Sequence, residues 1–136
     1  MTHHKALARV RMLFLGAAML MAVLIGQARA AETVAWDQAA FTAAQEAGKP
    51  IVVEVNAPWC PICAKQRPAI SALEKDPKFA EVIVFSVDFD TQKDVVRQFH
   101  VSMQSTLIAF KGKMETTRST GVSDPAEIRG LFERTL

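Results

Sequence analysis

The stretch that decides the fold is Ile51-Val52-Val53-Glu54-Val55-Asn56-Ala57-Pro58-Trp59-Cys60-Pro61-Ile62-Cys63. Residues 51–55 are almost all apolar and β-branched, which is typical of a strand covered on both faces. After a short turn-forming stretch, apolar residues recur at helical spacing at Ile62, Ile70 and Leu73. The segment therefore predicts a buried strand that leads directly into a helix with a cysteine pair at its start.

The cysteine pair predicts redox chemistry. Two intervening residues let one helical turn hold the sulfurs close enough to bond, and the free amides and dipole at a helix start stabilise a thiolate on Cys60. Cys60 is thus the predicted nucleophile, and Cys63 is the sheltered thiol that attacks the resulting mixed disulfide.

A purely structural disulfide and half of a metal site are the alternatives for this pair. A bridge that closes a four-residue loop constrains the unfolded chain very little. A metal site lacks ligands, because His100 is the only histidine after residue 30 and no second cysteine pair exists. We therefore expect no bound metal and no cofactor.

Glu54 interrupts the apolar strand. A carboxyl in such surroundings has its charged form disfavoured by desolvation, so its pKa should rise towards the range useful for proton transfer. The alternative is that Glu54 points to solvent at a sheet edge. The valines on both sides of it favour a strand with both faces covered.

The rest of the chain predicts one α/β domain. Strands are predicted at 82–87, 106–110 and 114–119, and helices at 38–49, 60–75, 91–99 and 125–134. The strand, helix and strand from 51 to 87 make a βαβ unit. Half of the 136 residues are hydrophobic and 22% are charged, as expected of a single globular domain.

The charge is placed unevenly. Residues 1–30 carry four basic residues and no acidic one, so residues 31–136 carry 12 basic against 14 acidic residues, a net charge of −2. The net positive charge of the whole chain therefore comes from residues 1–30. Because the rest of the chain is slightly acidic, we expect no nucleic-acid partner.

The first 30 residues predict a signal peptide. Basic residues precede fourteen uncharged residues, 12–25, and then Ala28-Arg29-Ala30, which suits cleavage between Ala30 and Ala31. An uncleaved membrane anchor is the alternative, but fourteen residues fall short of the roughly 20 that a spanning helix needs. Residues 31–136 would then form the mature domain in the periplasm, where disulfides form and persist.

Together these features resemble the thioredoxin superfamily. The resemblance is carried by Ala57-x-Trp59-Cys60-x-x-Cys63 between strand and helix, Pro68 within that helix, and Gly121 ahead of the last helix. It implies a thioredoxin-like α/β fold, with a central mixed β-sheet flanked by helices, over residues 31–136. In that family an acid six positions before the first cysteine takes the proton of the second. Glu54 has that position here, where Asp is usual.

One departure from the family lies in the substrate groove. Members carry a cis proline directly before the third strand, and the matching residue here is Ser105, which we expect in a surface loop. A cis bond before a non-proline residue costs about 2.5–4 kcal/mol, so Gln104–Ser105 is predicted to be trans. Trp59 is expected to pack beside the sulfurs and shield them. The predicted groove residues are Trp59, Pro61, Ile62, Gln104, Ser105 and Thr106.

The second departure lies between the cysteines. Pro61-Ile62 replaces the Gly-Pro of thioredoxins and the Pro-His of strong oxidants, so Cys60 gains no positive charge or donor from Ile62. The weaker stabilisation of the Cys60 thiolate predicts a reductase of protein disulfides rather than a strong oxidant. Together with the predicted signal peptide, we expect an exported, monomeric reductase that a membrane electron donor keeps reduced. The alternatives are a disulfide-forming oxidase, and a binding module whose cysteine pair holds a metal or an iron-sulfur cluster across a dimer.

Overall fold

The computed structural model describes residues 30–136, so almost all of the predicted signal peptide lies outside the described residues. The strands are β1 (Glu32–Ala35), β2 (Pro50–Asn56), β3 (Ile83–Asp88), β4 (Thr106–Lys111) and β5 (Met114–Thr120). The helices are α1 (Gln38–Glu46), α2 (Pro61–Glu74), α3 (Lys93–Gln98) and α4 (Pro125–Glu133), with a 3-10 turn at Pro77–Phe79. From residue 30 onward, no helix has the length and apolar character needed to cross a bilayer.

The five strands form one mixed sheet in the order β1-β3-β2-β4-β5. Strand β2 lies at its centre, parallel to β3 and antiparallel to β4. The βαβ prediction is thus confirmed, and so is the fold class, an α/β domain with helices on both faces of the sheet. Strand β1 was not predicted, because its four residues at the sheet edge are mostly exposed and carry no apolar pattern.

Local capping explains where the helices begin and end. Helix α1 begins after Asp37, whose carboxylate accepts a hydrogen bond from the amide of Ala40 at 2.7 Å. The helix ends at Glu46 rather than at residue 49, since Gly48 has a φ of +69° and turns the chain back. Helix α4 begins after Asp124 with Pro125 in its first turn, as predicted.

The sheet separates two apolar clusters. Alternate residues of β2 enter different clusters: Val52 packs with α2 and α4, whereas Ile51, Val53 and Val55 pack on the opposite side. We call the first side the cysteine face and the second the aromatic face. On the aromatic face, the rings of Trp36, Phe41, Phe85, Phe99 and Phe110 pack against one another among aliphatic side chains.

Candidate active site

The two cysteines lie where the central strand runs into helix α2. Cys60 is the N-cap of that helix, and its Sγ accepts a hydrogen bond from the backbone amide of Cys63 at 3.1 Å. The two residues form a disulfide, with their Cα atoms 5.3 Å apart. The same amide can stabilise a thiolate on Cys60 once the disulfide is reduced, because a helix start offers unpaired N–H groups.

The disulfide is buried. Cys60 is 2% exposed and Cys63 is 1% exposed, and with Ala57 they form a small cluster against which Ile62 and Phe89 pack. The expected difference in shelter between the two cysteines is therefore absent in the disulfide form. What distinguishes them is their place in the helix, since only Cys60 occupies the N-cap.

Hydrogen bonds hold the loop after β3 beside the cysteines. The carboxylate of Asp88 accepts hydrogen bonds from the amides of Asp90 and Thr91, each at 2.8 Å. These bonds, with that of Thr91 first among the causes, lower the pKa of Asp88. The amide of Phe89 donates to the carbonyl of Asn56 at 2.8 Å, which ties this loop to the end of β2 and sets Phe89 against the disulfide.

Trp59 is exposed at the rim of the site. Its side chain is 59% exposed, and its indole Nε1 donates to Asp90 Oδ2 at 2.6 Å. The role of Trp59 in shielding the sulfurs stays a prediction, while the partly buried Ile62 and Phe89 pack directly against the cysteine cluster. Trp59 instead presents an apolar ring at the rim of the site, held by the loop after β3.

Glu54 is buried in the central strand, at 4% exposure. It lies on the cysteine face, because it alternates with Val53 and Val55 of the aromatic face. Burial raises its pKa above the ordinary value of about 4.5, against a smaller lowering by Arg67 and with a further contribution from Glu74. The predicted direction of the pKa is confirmed, and the alternative of a solvent-facing Glu54 at a sheet edge is wrong.

Ser105 is in a buried, left-handed backbone conformation. No peptide bond between residues 30 and 136 is cis, so Gln104–Ser105 is trans, as predicted. Ser105 is only 3% exposed and has a φ of +59°, so the expected surface loop is wrong at this residue. A non-glycine residue in this region of φ costs roughly 1–2 kcal/mol, so other contacts must hold it there.

The other predicted groove residues flank the site at different depths. Pro61 is exposed in the first turn of α2, and Gln104 is half-buried. Thr106 is buried, and its hydroxyl donates to the carbonyl of Met103 at 2.8 Å. Met103 was not predicted, although its side chain is 54% exposed and adds apolar surface to the loop that leads into β4.

Gln66 is the buried residue that sequence reasoning missed. It lies in α2 three residues after Cys63 and is 0% exposed. Its Nε2 donates to the carbonyl of Ser105 at 3.2 Å and to the carbonyl of Val122 at 2.6 Å. Its Oε1 is buried and has no hydrogen-bond partner among the described residues. The signal that could have found it is a lone glutamine on the apolar side of the helix, beside Cys63 and Ile70.

No group of three or more histidine, cysteine, aspartate or glutamate side chains within residues 30–136 is arranged to hold a metal ion.

Known proteins resemble this chain over most of its described length. Residues 32–133 match the protein family described as Thioredoxin. A thioredoxin H-type from Fagopyrum esculentum is 36% identical over 81 residues, which cover 60% of this chain and 68% of that protein. Thioredoxin-2 of Saccharomyces cerevisiae is 33% identical, over 60% of this chain and 75% of that protein. The matched region is thus about two thirds to three quarters of these two relatives.

Solved structures of thioredoxin-like proteins superpose on the described residues. The crystal structure of Trxlp from Edwardsiella tarda EIB202 superposes with a TM-score of 0.71 at 40% identity, covering 74% of this chain and 98% of that one. Thioredoxin O2 from Arabidopsis thaliana, solved in the oxidized state, superposes with a TM-score of 0.62 at 28% identity, covering 75% and 92%.

Proposed function

Because this chain belongs to the thioredoxin family and is a protein-disulfide oxidoreductase, we propose that it works as an exported reductase of protein disulfides. The observation that carries the proposal is the Cys60–Cys63 disulfide at the start of α2, with Cys60 as its N-cap. A binding module that holds a metal or a cluster between two copies is the competing proposal, in which each copy would supply its cysteine pair.

The proposed reaction moves two electrons from the cysteine pair to a substrate disulfide. The Cys60 thiolate attacks one sulfur of that disulfide, a mixed disulfide forms, and the first substrate thiolate leaves. Cys63 then loses its proton and attacks Cys60 Sγ. The Cys60–Cys63 disulfide forms, and the second substrate thiolate leaves and takes up a proton.

Glu54 is the proposed proton acceptor for Cys63. Its carboxyl lies on the cysteine face of β2, which α2 covers, and burial raises its pKa, so its carboxylate is a stronger proton acceptor than an exposed one. Desolvation raises the pKa of Glu54, and the positive charge of Arg67 opposes part of that rise.

The direction of electron flow is proposed from the residues between the cysteines. The half-buried Ile62 packs against them and supplies neither charge nor donor to Cys60. With only the helix start to stabilise the thiolate, the pair should be a better reductant than one with a histidine there. A reductase in an oxidising compartment must be re-reduced, so we propose a membrane electron donor as its upstream partner.

Export to the periplasm is proposed from the first 30 residues, whose basic start, uncharged stretch and Ala28-Arg29-Ala30 are typical of a signal peptide. Ala31 is 7% exposed and belongs to the cluster on the cysteine face. The residue after the predicted cleavage bond therefore packs with the domain, and we propose residues 31–136 as the mature form, a monomer.

Trapping tests the proposal directly. In Cys63→Ser, Cys60 should still attack and should accumulate substrates as mixed disulfides, whereas Cys60→Ala should trap none. Iodoacetamide should label Cys60 of the reduced protein before Cys63, and faster labelling of Cys63 would reverse the assignment.

Equilibration with glutathione should place the reduction potential nearer to about −270 mV than to about −120 mV. A value near the upper figure would identify an oxidase instead, and visible absorption after anaerobic purification would identify a cluster-binding module.

A further inference from the structure

The side chain of Gln66 joins the cysteine helix to two separate loops. Its Nε2 reaches the carbonyl of Ser105, just before β4, and the carbonyl of Val122, just after β5. The amide of Gly121 also donates to the carbonyl of Ser105 at 3.0 Å. One side chain of α2 therefore ties down the end at which β4 begins and β5 finishes.

This end of the sheet is the one that carries the cysteines. Thr106 pairs with Val55 across β4 and β2, so Ser105 lies beside the segment that leads from β2 to Cys60. The loop of residues 101–105, which carries the exposed Met103 side chain, leads into β4 at this same end of the sheet. The position of this loop therefore shapes the surface on which a partner docks.

Contacts from outside the 101–105 loop are needed to keep Ser105 at its positive φ. Proline would limit φ at residue 105 through its own ring, but serine leaves φ free, and here it is +59°. A residue in such a sparsely populated region keeps its conformation only where its surroundings determine it. The Gln66 amide and the backbone amide of Gly121 both donate to the carbonyl of Ser105 and are two such contacts. The second Gln66 donor ties the loop at Val122 to the same side chain.

We propose that Gln66 is a positioning residue for disulfide exchange, which holds the 101–105 loop beside Cys60 and thereby sets how protein substrates dock. The inference rests on the proposed function. It assigns Gln66 no contact with the reacting sulfurs and no proton to transfer. Its unpartnered Oε1 supports the assignment, since a glutamine kept for packing alone leaves a buried acceptor without benefit.

Two substrates separate positioning from chemistry. Gln66→Met keeps the length of the side chain and removes both donors. The second-order rate constant for reduction of insulin by this variant should fall about fivefold to tenfold. That is the loss expected for one or two hydrogen bonds that orient a substrate. With 5,5′-dithiobis(2-nitrobenzoate), which is too small to lie along the loop, the rate should stay within about twofold of wild type.

Ile70→Val is the matched control. It trims a buried side chain one turn further along α2, so it reduces packing while leaving both hydrogen bonds of Gln66 in place. The ratio of the two rates should not change in this variant. An equal fall with both substrates in Gln66→Met, or no fall with either, would overturn the positioning role. A wild type that reduces neither substrate would instead overturn the proposed function.

Gln66→Glu gives a second test that does not depend on the methionine variant folding well. As a carboxylate the new side chain faces two carbonyl oxygens, and as a neutral acid it regains one donor. The ratio of the insulin rate to the small-reagent rate should therefore recover as the pH falls, while the wild-type ratio stays flat. A ratio that is independent of pH in both proteins, at the wild-type value, would overturn the proposal.

Discussion

The two faces of the sheet bury different kinds of side chain. On the aromatic face, the ring of Phe41 lies 4.8 Å from that of Trp36 and 5.5–5.6 Å from three phenylalanine rings, with no buried carboxyl or amide side chain among them. On the cysteine face, Glu54 is buried in the central strand beneath α2, and Gln66 is buried in that helix. Apolar contacts stabilise both faces, but only the cysteine face also buries a carboxyl and an amide side chain, to which we assign proposed roles in disulfide exchange.

Residues of the aromatic face should therefore affect stability alone. Phe41→Ala should lower the free energy of unfolding by about 3–5 kcal/mol, because the cavity it leaves opens among four other rings. Urea unfolding would measure the loss. The reduction potential of the folded variant should stay within about 15 mV of wild type, because the change lies across the sheet from the cysteines. A larger change in potential would show that the two faces are coupled.

Ser105→Pro should show the next largest effect. Proline needs a φ near −65°, whereas Ser105 is buried with a φ of +59°, so the variant should lose about 2 kcal/mol or more of stability. It should also change the set of partners trapped by Cys63→Ser, because the loop must adopt another shape.

Ser105→Gly is the control for that prediction. Glycine adopts a φ of +59° without strain, so its stability should lie within about 1 kcal/mol of wild type. Urea unfolding that leaves the proline variant as stable as the glycine variant would show that the loop rearranges freely. The requirement for an external hold on Ser105 would then be wrong.

Glu54→Gln tests the cysteine face, and it should act on stability and on activity in opposite directions. Burial raises the pKa of Glu54 in the folded protein, so ionisation destabilises the fold as the pH rises above the ordinary value of about 4.5. The variant should be more stable than wild type at pH 7, by about 1.4 kcal/mol for each tenfold difference in proton affinity between the folded and unfolded states, and equally stable near pH 4.

The same variant should slow one chemical step. The rate at which the mixed disulfide is resolved should fall about tenfold or more, while the rate of the initial attack by Cys60 should change much less. Stopped-flow measurements separate the two steps. Glu46→Gln, an exposed change of the same kind, should alter neither stability nor rate. Equal effects of Glu54→Gln on both steps would remove Glu54 from proton transfer.

The difference between the faces also explains what the sequence could predict. Strand β2 was recognisable because its residues are apolar on both faces, and Glu54 stood out as the one acid within it. The N-caps at Asp37 and Asp124 were equally local signals. Gln66 could not be given a role, because its partners, Ser105 and Val122, lie 39 and 56 residues away along the chain. The positive φ of Ser105 likewise depends on contacts that no local pattern encodes.

The smallest expected effect lies at the rim, outside both faces. Trp59 is exposed, and its ring is oriented by the hydrogen bond from Nε1 to Asp90 Oδ2. Asp90→Ala should free the ring and raise the KM for insulin about twofold, the scale of one exposed hydrogen bond, with kcat unchanged. Asp90→Asn retains an acceptor and should stay closer to wild type. Because Trp36 is the only other tryptophan, fluorescence anisotropy in a Trp36→Phe background reports on Trp59 alone and should fall in Asp90→Ala. A lower anisotropy with an unchanged KM would mean that substrates dock without Trp59, and the apolar docking surface would then consist of Met103 and Ile62.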